Sequence, residues 1–340
     1  MRENSVNTRN SSFELLRIVA MLFIVFYHLV TYYLYEIPNP EYAQLYTALL
    51  PTLHIGVILF MLISGYFGIK STWKGLISLL MVVIVYNLPF VLYSGIGHGR
   101  WMERLMFITN TPYWFIRCYL YLYLVAPFVN KAIDKLTMRE RLGALVAFGV
   151  ISIYFGCTEG DVALQDGKNL VNFIFLYLLG NTLKVSQNKW QSWNVWLLVG
   201  IFVAINVLTF TILYLSYGTY LHDYVFNISF PYRSPLLIVN AILMFMMFGK
   251  LHISNMWINS IATSMFAVYI IHCQPMIHNI FVMGALRNVL NFSRGGVFVK
   301  LLVLTIGIML ICVLIDKCLT PYWNVQNKLM TKYLGGKKLY

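Results

Sequence analysis

Apolar residues run along this chain in blocks of about twenty, broken by short polar stretches. A block of that length matches the hydrocarbon core of a bilayer when wound as a helix. Ten such blocks can be cut, at 13–35, 46–69, 75–96, 112–130, 141–157, 169–184, 194–217, 235–250, 258–279 and 296–318. They predict an all-α fold, a polytopic membrane bundle of ten helices forming one domain over 1–340, with a core of about 11–320 and a short basic tail at 321–340. An even number of crossings puts both termini on one side. Pro51, Pro89 and Pro127 fall inside blocks, where a proline frees a backbone carbonyl and bends the helix. The first block is too long for a leader peptide, contains an internal Arg17 and lacks a small-residue cleavage site after it. It is read as a retained helix.

The side follows from Lys and Arg in the short loops. Arg2, Arg9, Lys70, Lys74, Lys131, Lys135, Arg139, Arg141, Lys184, Lys189, Lys250 and the run from Lys317 to Lys338 fall at one set of block ends. The opposite loops hold the acids Glu36, Glu41, Glu159, Asp161, Asp166 and Asp223, with fewer basic residues: Arg100, Arg104, Lys168, Arg233, Arg287 and Arg294. Both termini are therefore expected in the cytoplasm.

Composition agrees with a bilayer. The chain is 59% hydrophobic and 11% charged, against about 25% charged for soluble domains. The net charge of +13 belongs to these loops, with no basic–aromatic ladder, so no nucleic-acid partner is expected. The five cysteines, Cys118, Cys157, Cys273, Cys312 and Cys318, form no CxxC and no metal-ligand spacing. They are read as small apolar filler, and no metal or bound cofactor is expected.

Chemistry enters with the ionisable residues inside the blocks. Arg17 and His28 share the first. An embedded Arg or His is costly and marks a site; alternatively, Arg17 snorkels to the lipid surface and His28 makes a structural hydrogen bond. Eleven residues are close to three turns, so the two side chains share one face about 16 Å apart along the axis. Glu14 pairs with Arg17 at i, i+3. Counting rise per residue, His28, His54 and His272 reach similar depth in three different blocks. An imidazole titrates near ambient pH and suits general-base work on a hydroxyl. A guanidinium nearer the cytoplasm suits a phosphate-bearing partner.

The residues around these positions resemble a family. Arg17 and His28, with Glu14-Leu15-Leu16-Arg17-Ile18-Val19-Ala20, are similar to the first-helix signature of acyltransferase family 3, bacterial membrane O-acyltransferases of the polysaccharide O-acetyltransferase type. Leu59-Phe60-Met61-Leu62-Ile63-Ser64-Gly65-Tyr66-Phe67-Gly68-Ile69-Lys70 resembles its Phe-Phe-x-x-Ser-Gly-(x)4-Arg segment, with Lys70 in place of Arg. Tyr113-Trp114-Phe115-Ile116-Arg117 through Tyr121, Leu124 and Pro127 resembles its Trp-Phe…Tyr-Leu…Pro helix. Ser264-Met265-Phe266-Ala267-Val268-Tyr269-Ile270-Ile271-His272-Cys273-Gln274-Pro275 resembles its Phe-Gly-Val-Tyr-Leu-Ile-His-x-x-Pro.

The resemblance implies transfer of acetyl from acetyl-coenzyme A, or another acyl-coenzyme A, to a hydroxyl of a cell-surface or lipid-linked carbohydrate. The expected location is a bacterial cytoplasmic membrane, with a lipid bilayer as solvent. Arg17 and His28 become the catalytic pair, with His28 as base or acyl relay and Arg17 near the donor. Ser64, Gly65, Lys70, Trp114, Arg117 and His272 become candidates for substrate binding. Plainer readings stand beside these: Ser64-Gly65 as small-residue helix packing, Trp114 as part of an interfacial aromatic belt, His272 as structural, Arg117 as the partner of an outer-loop acid. A glycan-intermediate flippase or a polymerase is the competing function. The short loops and the absence of an internal repeat favour the enzyme.

Overall fold

In a computed structural model, the protein is described over residues 10–36, 42–98, 113–155, 166–292, 296–335 and 337–339. Arg2, Arg9, Glu41, Arg100, Arg104, Cys157, Glu159, Asp161 and Arg294, used above, lie outside these residues. The described residues are helical, with no strand and one isolated bridge between Thr72 and Lys338.

The longer helices fall mostly in the apolar blocks, with Tyr220–Ser229, Met283–Phe292 and Thr320–Leu334 outside them. They are α1 Ser12–Glu36, α2 Ala43–Leu53, α3 Gly56–Phe67, α4 Trp73–His98, α5 Trp114–Lys135, α6 Met138–Gly149, α7 Leu170–Val185, α8 Val195–Leu215, α9 Tyr220–Ser229, α10 Pro235–Gly249, α11 Met256–Ala262, α12 Met265–Cys273, α13 Met283–Phe292, α14 Val297–Cys318 and α15 Thr320–Leu334. Among the described residues, six stretches are long and apolar enough to cross a membrane: Ser12–Tyr35, Ala43–Phe67, Trp73–Phe90, Val195–Leu215, Met256–Cys273 and Val297–Cys318. Leu170–Val185 and Pro235–Gly249 are shorter apolar helices. The chain is thus a multi-pass helical membrane protein.

Two of the blocks are interrupted. The second breaks at His54-Ile55 between α2 and α3, three residues past Pro51. The ninth breaks at Thr263-Ser264 and again at Gln274. Pro275 forces the second break, since the residue before a proline is pushed out of the helical region; Gln274 is extended, with φ −64° and ψ 122°. Irregular backbone at membrane depth is tolerated only where protein or a cavity surrounds it. The stretch through α2 and α3 meets this condition, with 78% of its apolar window buried, against 6% for α8 at the periphery.

Glycine sets a very close contact between two helices. A Cβ on Gly65 would run into the carbonyl oxygen of Tyr177, and one on Gly180 into that of Leu62. The backbones of α3 and α7 therefore approach as closely as small-residue interfaces in membranes allow. The chain leaving α3 is then tied down. Gly68 takes φ +77°, and Ile69 donates its N–H to the Tyr177 hydroxyl at 2.8 Å. That hydroxyl donates to Asn130 Oδ1 at 2.7 Å, and Asn130 Nδ2 donates back to the Ile69 carbonyl at 3.0 Å.

The loops rich in Lys and Arg gather at one end. Asn10 donates to the Leu251 carbonyl, Tyr66 to Gln187, Lys250 to the Gln191 carbonyl, Asn130 to the Ile69 carbonyl and Lys74 to Thr331. Arg141 is buried there, donating to the carbonyls of Ile133 and Leu136 and to Asn181, so it closes the C-terminal end of α5. The segment expected as a tail is helical through α15, and Lys337–Leu339 then pair with Ser71 and Trp73.

This packing makes a specific prediction. Gly65→Ala or Gly180→Ala should destabilise the protein by about 1–3 kcal/mol through overpacking against backbone. Gly200→Ala and Gly307→Ala, where a Cβ meets nothing within 4 Å, should leave the melting temperature of the detergent-solubilised protein unchanged. Equal effects at all four positions would contradict the contact.

Candidate active site

The α1 helix runs past α2, α3, α10, α12 and α14, and carries Arg17 and His28. Arg17 is near the end where the basic loops collect. Its Nη1 donates to Glu14 Oε2 at 2.7 Å, and its guanidinium stands 6.0 Å from the centre of the Phe67 ring. The side chain keeps 30% of its surface exposed. A guanidinium has five N–H donors, more than one carboxylate engages, so Arg17 can hold a second anion.

Arg17 lines a cavity of about 350 Å³. Ser64 of α3, Tyr119 of α5 and Thr263 between α11 and α12 supply other polar groups, and Phe60, Phe115 and Phe266 contribute apolar wall. Ser64 donates to the Phe60 carbonyl at 2.8 Å. Toward the basic end a second cavity of about 470 Å³ shares Thr263 and Phe266 with the first, and reaches Asp316, Trp323 and Asn327 on α14 and α15. Asp316 accepts from the Tyr86 hydroxyl at 2.6 Å and from the Trp323 indole at 3.2 Å.

In the other direction the space closes. Ile24, Val57 and Tyr269 border both the large cavity and a chamber of about 20 Å³. That chamber is lined by His28, together with Tyr27, His54, Trp114 and Tyr232. Its volume is about that of a single water site.

The proton positions at His28 follow from one carbonyl. His272 Nδ1 is 2.7 Å from the Val268 carbonyl oxygen. A carbonyl only accepts, so Nδ1 carries the proton and donates. The Nε2 of neutral His272 then bears a lone pair. It lies 2.9 Å from His28 Nδ1, so His28 Nδ1–H is the donor of that bond. The lone pair of His28 is left on Nε2, the nitrogen that His272 does not engage. This is the tautomer a general base requires, held by a partner that orients the ring. His54 is fixed in the same way: Nδ1 donates to the Phe230 carbonyl at 2.6 Å, and the ring stacks on Phe230 with centroids 4.3 Å apart.

The expected site residues therefore divide. His28 and Trp114 meet at the chamber, His272 touches His28 from behind, and Trp114 packs 5.0 Å from the Tyr232 ring. Arg17 and Ser64 meet at the cavity of about 350 Å³. Gly65 sits in the α3–α7 contact. Lys70 is exposed just past α3, its carbonyl accepting from the Tyr123 hydroxyl at 3.3 Å. Arg117 is half-buried on α5, outside both linings. Sequence reasoning missed Cys273, whose sulfur lies 3.4 Å from His272 Nε2 and 3.9 Å from His28 Nδ1. It also missed Tyr119, Thr263 and the surfaces of α4, α14 and α15. Their partners are remote in sequence, and nothing local marks them.

The sequence matches the acyltransferase domain family, acyltransferase family 3, across residues 10–317. The match covers nearly the whole chain, and the protein belongs to that family. The comparisons with curated proteins and with solved structures give no match.

The tautomer can be read directly. Nitrogen-15 spectra of the histidines in nanodiscs should show the His28 signal, identified by its loss in His28→Gln, as protonated at Nδ1. In His272→Ala the acceptor is gone, and a mixture with the Nε2–H form should appear. A wild-type His28 protonated at Nε2 would refute the assignment.

Proposed function

We propose that this family member transfers a short acyl group, acetyl, from acetyl-coenzyme A to a hydroxyl of a carbohydrate at the outer face of the membrane. The observation that carries this reading is the His28 lone pair on Nε2, held by His272 at 2.9 Å, next to a cavity that starts at Arg17. His28 accepts the proton of the acceptor hydroxyl as its oxygen attacks the thioester carbonyl. The resulting tetrahedral centre expels the coenzyme thiolate. The His28 imidazolium returns its proton to that sulfur, which leaves an ester and free coenzyme A. His272 stays neutral throughout and stabilises the imidazolium by accepting the Nδ1–H bond.

The donor's charged portion belongs at the basic end, where Arg17 offers bidentate N–H donors to a phosphate. Its acyl arm then runs along the apolar cavity toward His28, a span of about 16 Å along α1. Trp114 and Tyr232 supply aromatic surface on the acceptor side. We read the bundle as ten crossings with both termini in the cytoplasm. Supporting this, five hydrogen bonds tie together the ends reached after every second block. The membrane would be a bacterial cytoplasmic membrane, as the family resemblance implies. The narrow chamber speaks against an open path for a whole glycan, as a flippase would need.

Two substitutions test the division of labour. His28→Ala should abolish acyl transfer in a coenzyme A release assay, with the melting temperature retained. Arg17→Ala should remove one charge-assisted contact, worth about 1.5–3 kcal/mol, and raise the donor KM roughly tenfold to a hundredfold. The acceptor KM should stay unchanged, and Arg17→Lys should recover part of the loss. Substantial transfer by His28→Ala, or an unaltered donor KM in both Arg17 variants, would refute the respective role.

A further inference from the structure

Cys273 has no part in the transfer described above, yet it completes a three-atom set. His28 Nδ1, His272 Nε2 and Cys273 Sγ converge, with all three ligand atoms within 4.8 Å of one another. The sulfur is 3.4 Å from one nitrogen and 3.9 Å from the other. Metal–nitrogen bonds of about 2.0 Å and metal–sulfur bonds of about 2.3 Å separate the ligands of a trigonal or tetrahedral shell by roughly 3.3–3.8 Å. Both sulfur distances sit close to that range. The 2.9 Å between the nitrogens is hydrogen-bond spacing, and it must open by about half an ångström when a cation replaces the shared proton.

The outer support is already in place. His272 donates its other N–H to the Val268 carbonyl, the arrangement by which metal-binding histidines are held in the ligating tautomer. His272 and Cys273 are buried, and His28 is reached from the chamber. Thiolate and imidazole together select soft ions, Cu(I) and Zn(II) among them.

Charge separates those two. Binding one Cu(I) converts the Cys273 thiol to a thiolate and releases one proton, so the assembly stays neutral. Zn(II) in the same ligands leaves one positive charge among apolar residues, where an uncompensated charge is costly. We propose that His28, His272 and Cys273 form a site for a single Cu(I) ion. Coordination through Nδ1 moves the His28 proton to Nε2. The net proton count on the imidazole is unchanged, but the lone pair required of the base is gone. Cu(I) would then act as a reversible inhibitor, a consequence that rests on the transfer mechanism above; the binding site itself does not.

The full-length protein in detergent, held without oxygen, can be titrated with Cu(I) against bicinchoninate. Wild type should withdraw one equivalent from the coloured complex and develop a near-ultraviolet thiolate-to-copper absorption. Cys312→Ser, which alters a buried cysteine outside the set, should behave as wild type. Cys273→Ser should compete at least tenfold less well. His272→Gln, which removes a different ligand, should show the same loss if Cys273→Ser proves unstable. No withdrawal by wild type, retention by the ligand variants, or an equal loss in Cys312→Ser would overturn the site. Saturating Cu(I) should also suppress transfer, and bicinchoninate should restore it. Binding with undiminished transfer would overturn the inhibitory role. A metal-free wild type without any transfer would instead overturn the proposed function, while the binding result still decided the site.

Discussion

One hydrogen bond sets the proton positions at the His28 and His272 pair, the 2.7 Å contact from His272 Nδ1 to the Val268 carbonyl. It lies within one helical turn and needs no distant partner. Because a carbonyl can only accept, the bond fixes where the His272 proton sits. That leaves Nε2 to receive His28 Nδ1–H, and so fixes the second ring too. The last turn of α12 makes this possible. Pro275 stops the helix just past Cys273, so His272 stands at a helix end facing the middle of α1. The bilayer raises the stakes, because an imidazole with the wrong tautomer would leave a polar atom unpaired in a medium that cannot hydrate it.

The bundle around this pair is arranged by close packing. The Gly65 and Gly180 contacts bring α3 hard against α7, which fixes the wall opposite α1. Ser64 is then held on the cavity side of α3 while its neighbour Gly65 faces Tyr177. Within one dipeptide, the hydroxyl borders the cavity and the glycine makes the helix contact. Ile24 of α1 and Val57 of α3 narrow the space before it reaches His28.

Much of this was legible in the chain. The apolar blocks located the helices, because the hydrocarbon thickness fixes how many residues must be apolar in succession. The i, i+3 spacing gave the Glu14–Arg17 pair, and the helical rise put His28, His54 and His272 at one level, where two touch and the third lines the same chamber. What stayed hidden depends on tertiary neighbours. Pro51 announced a disturbance, but the break falls later, at His54-Ile55, where His54 finds the Phe230 carbonyl. Arg141 reads as a loop charge and is in fact buried over the end of α5. Cys273 reads as filler, since its relation to His28 crosses 245 residues of sequence.

The proposed reaction requires a donor that reaches His28 from the Arg17 end. A cryo-electron microscopy structure with a non-reactive ketone analogue of acetyl-coenzyme A tests this most directly. Phosphates should lie against Arg17 and the basic end of the bundle, with the carbonyl carbon beside His28 Nε2. Phosphates at the opposite end, or a carbonyl remote from His28, would contradict it.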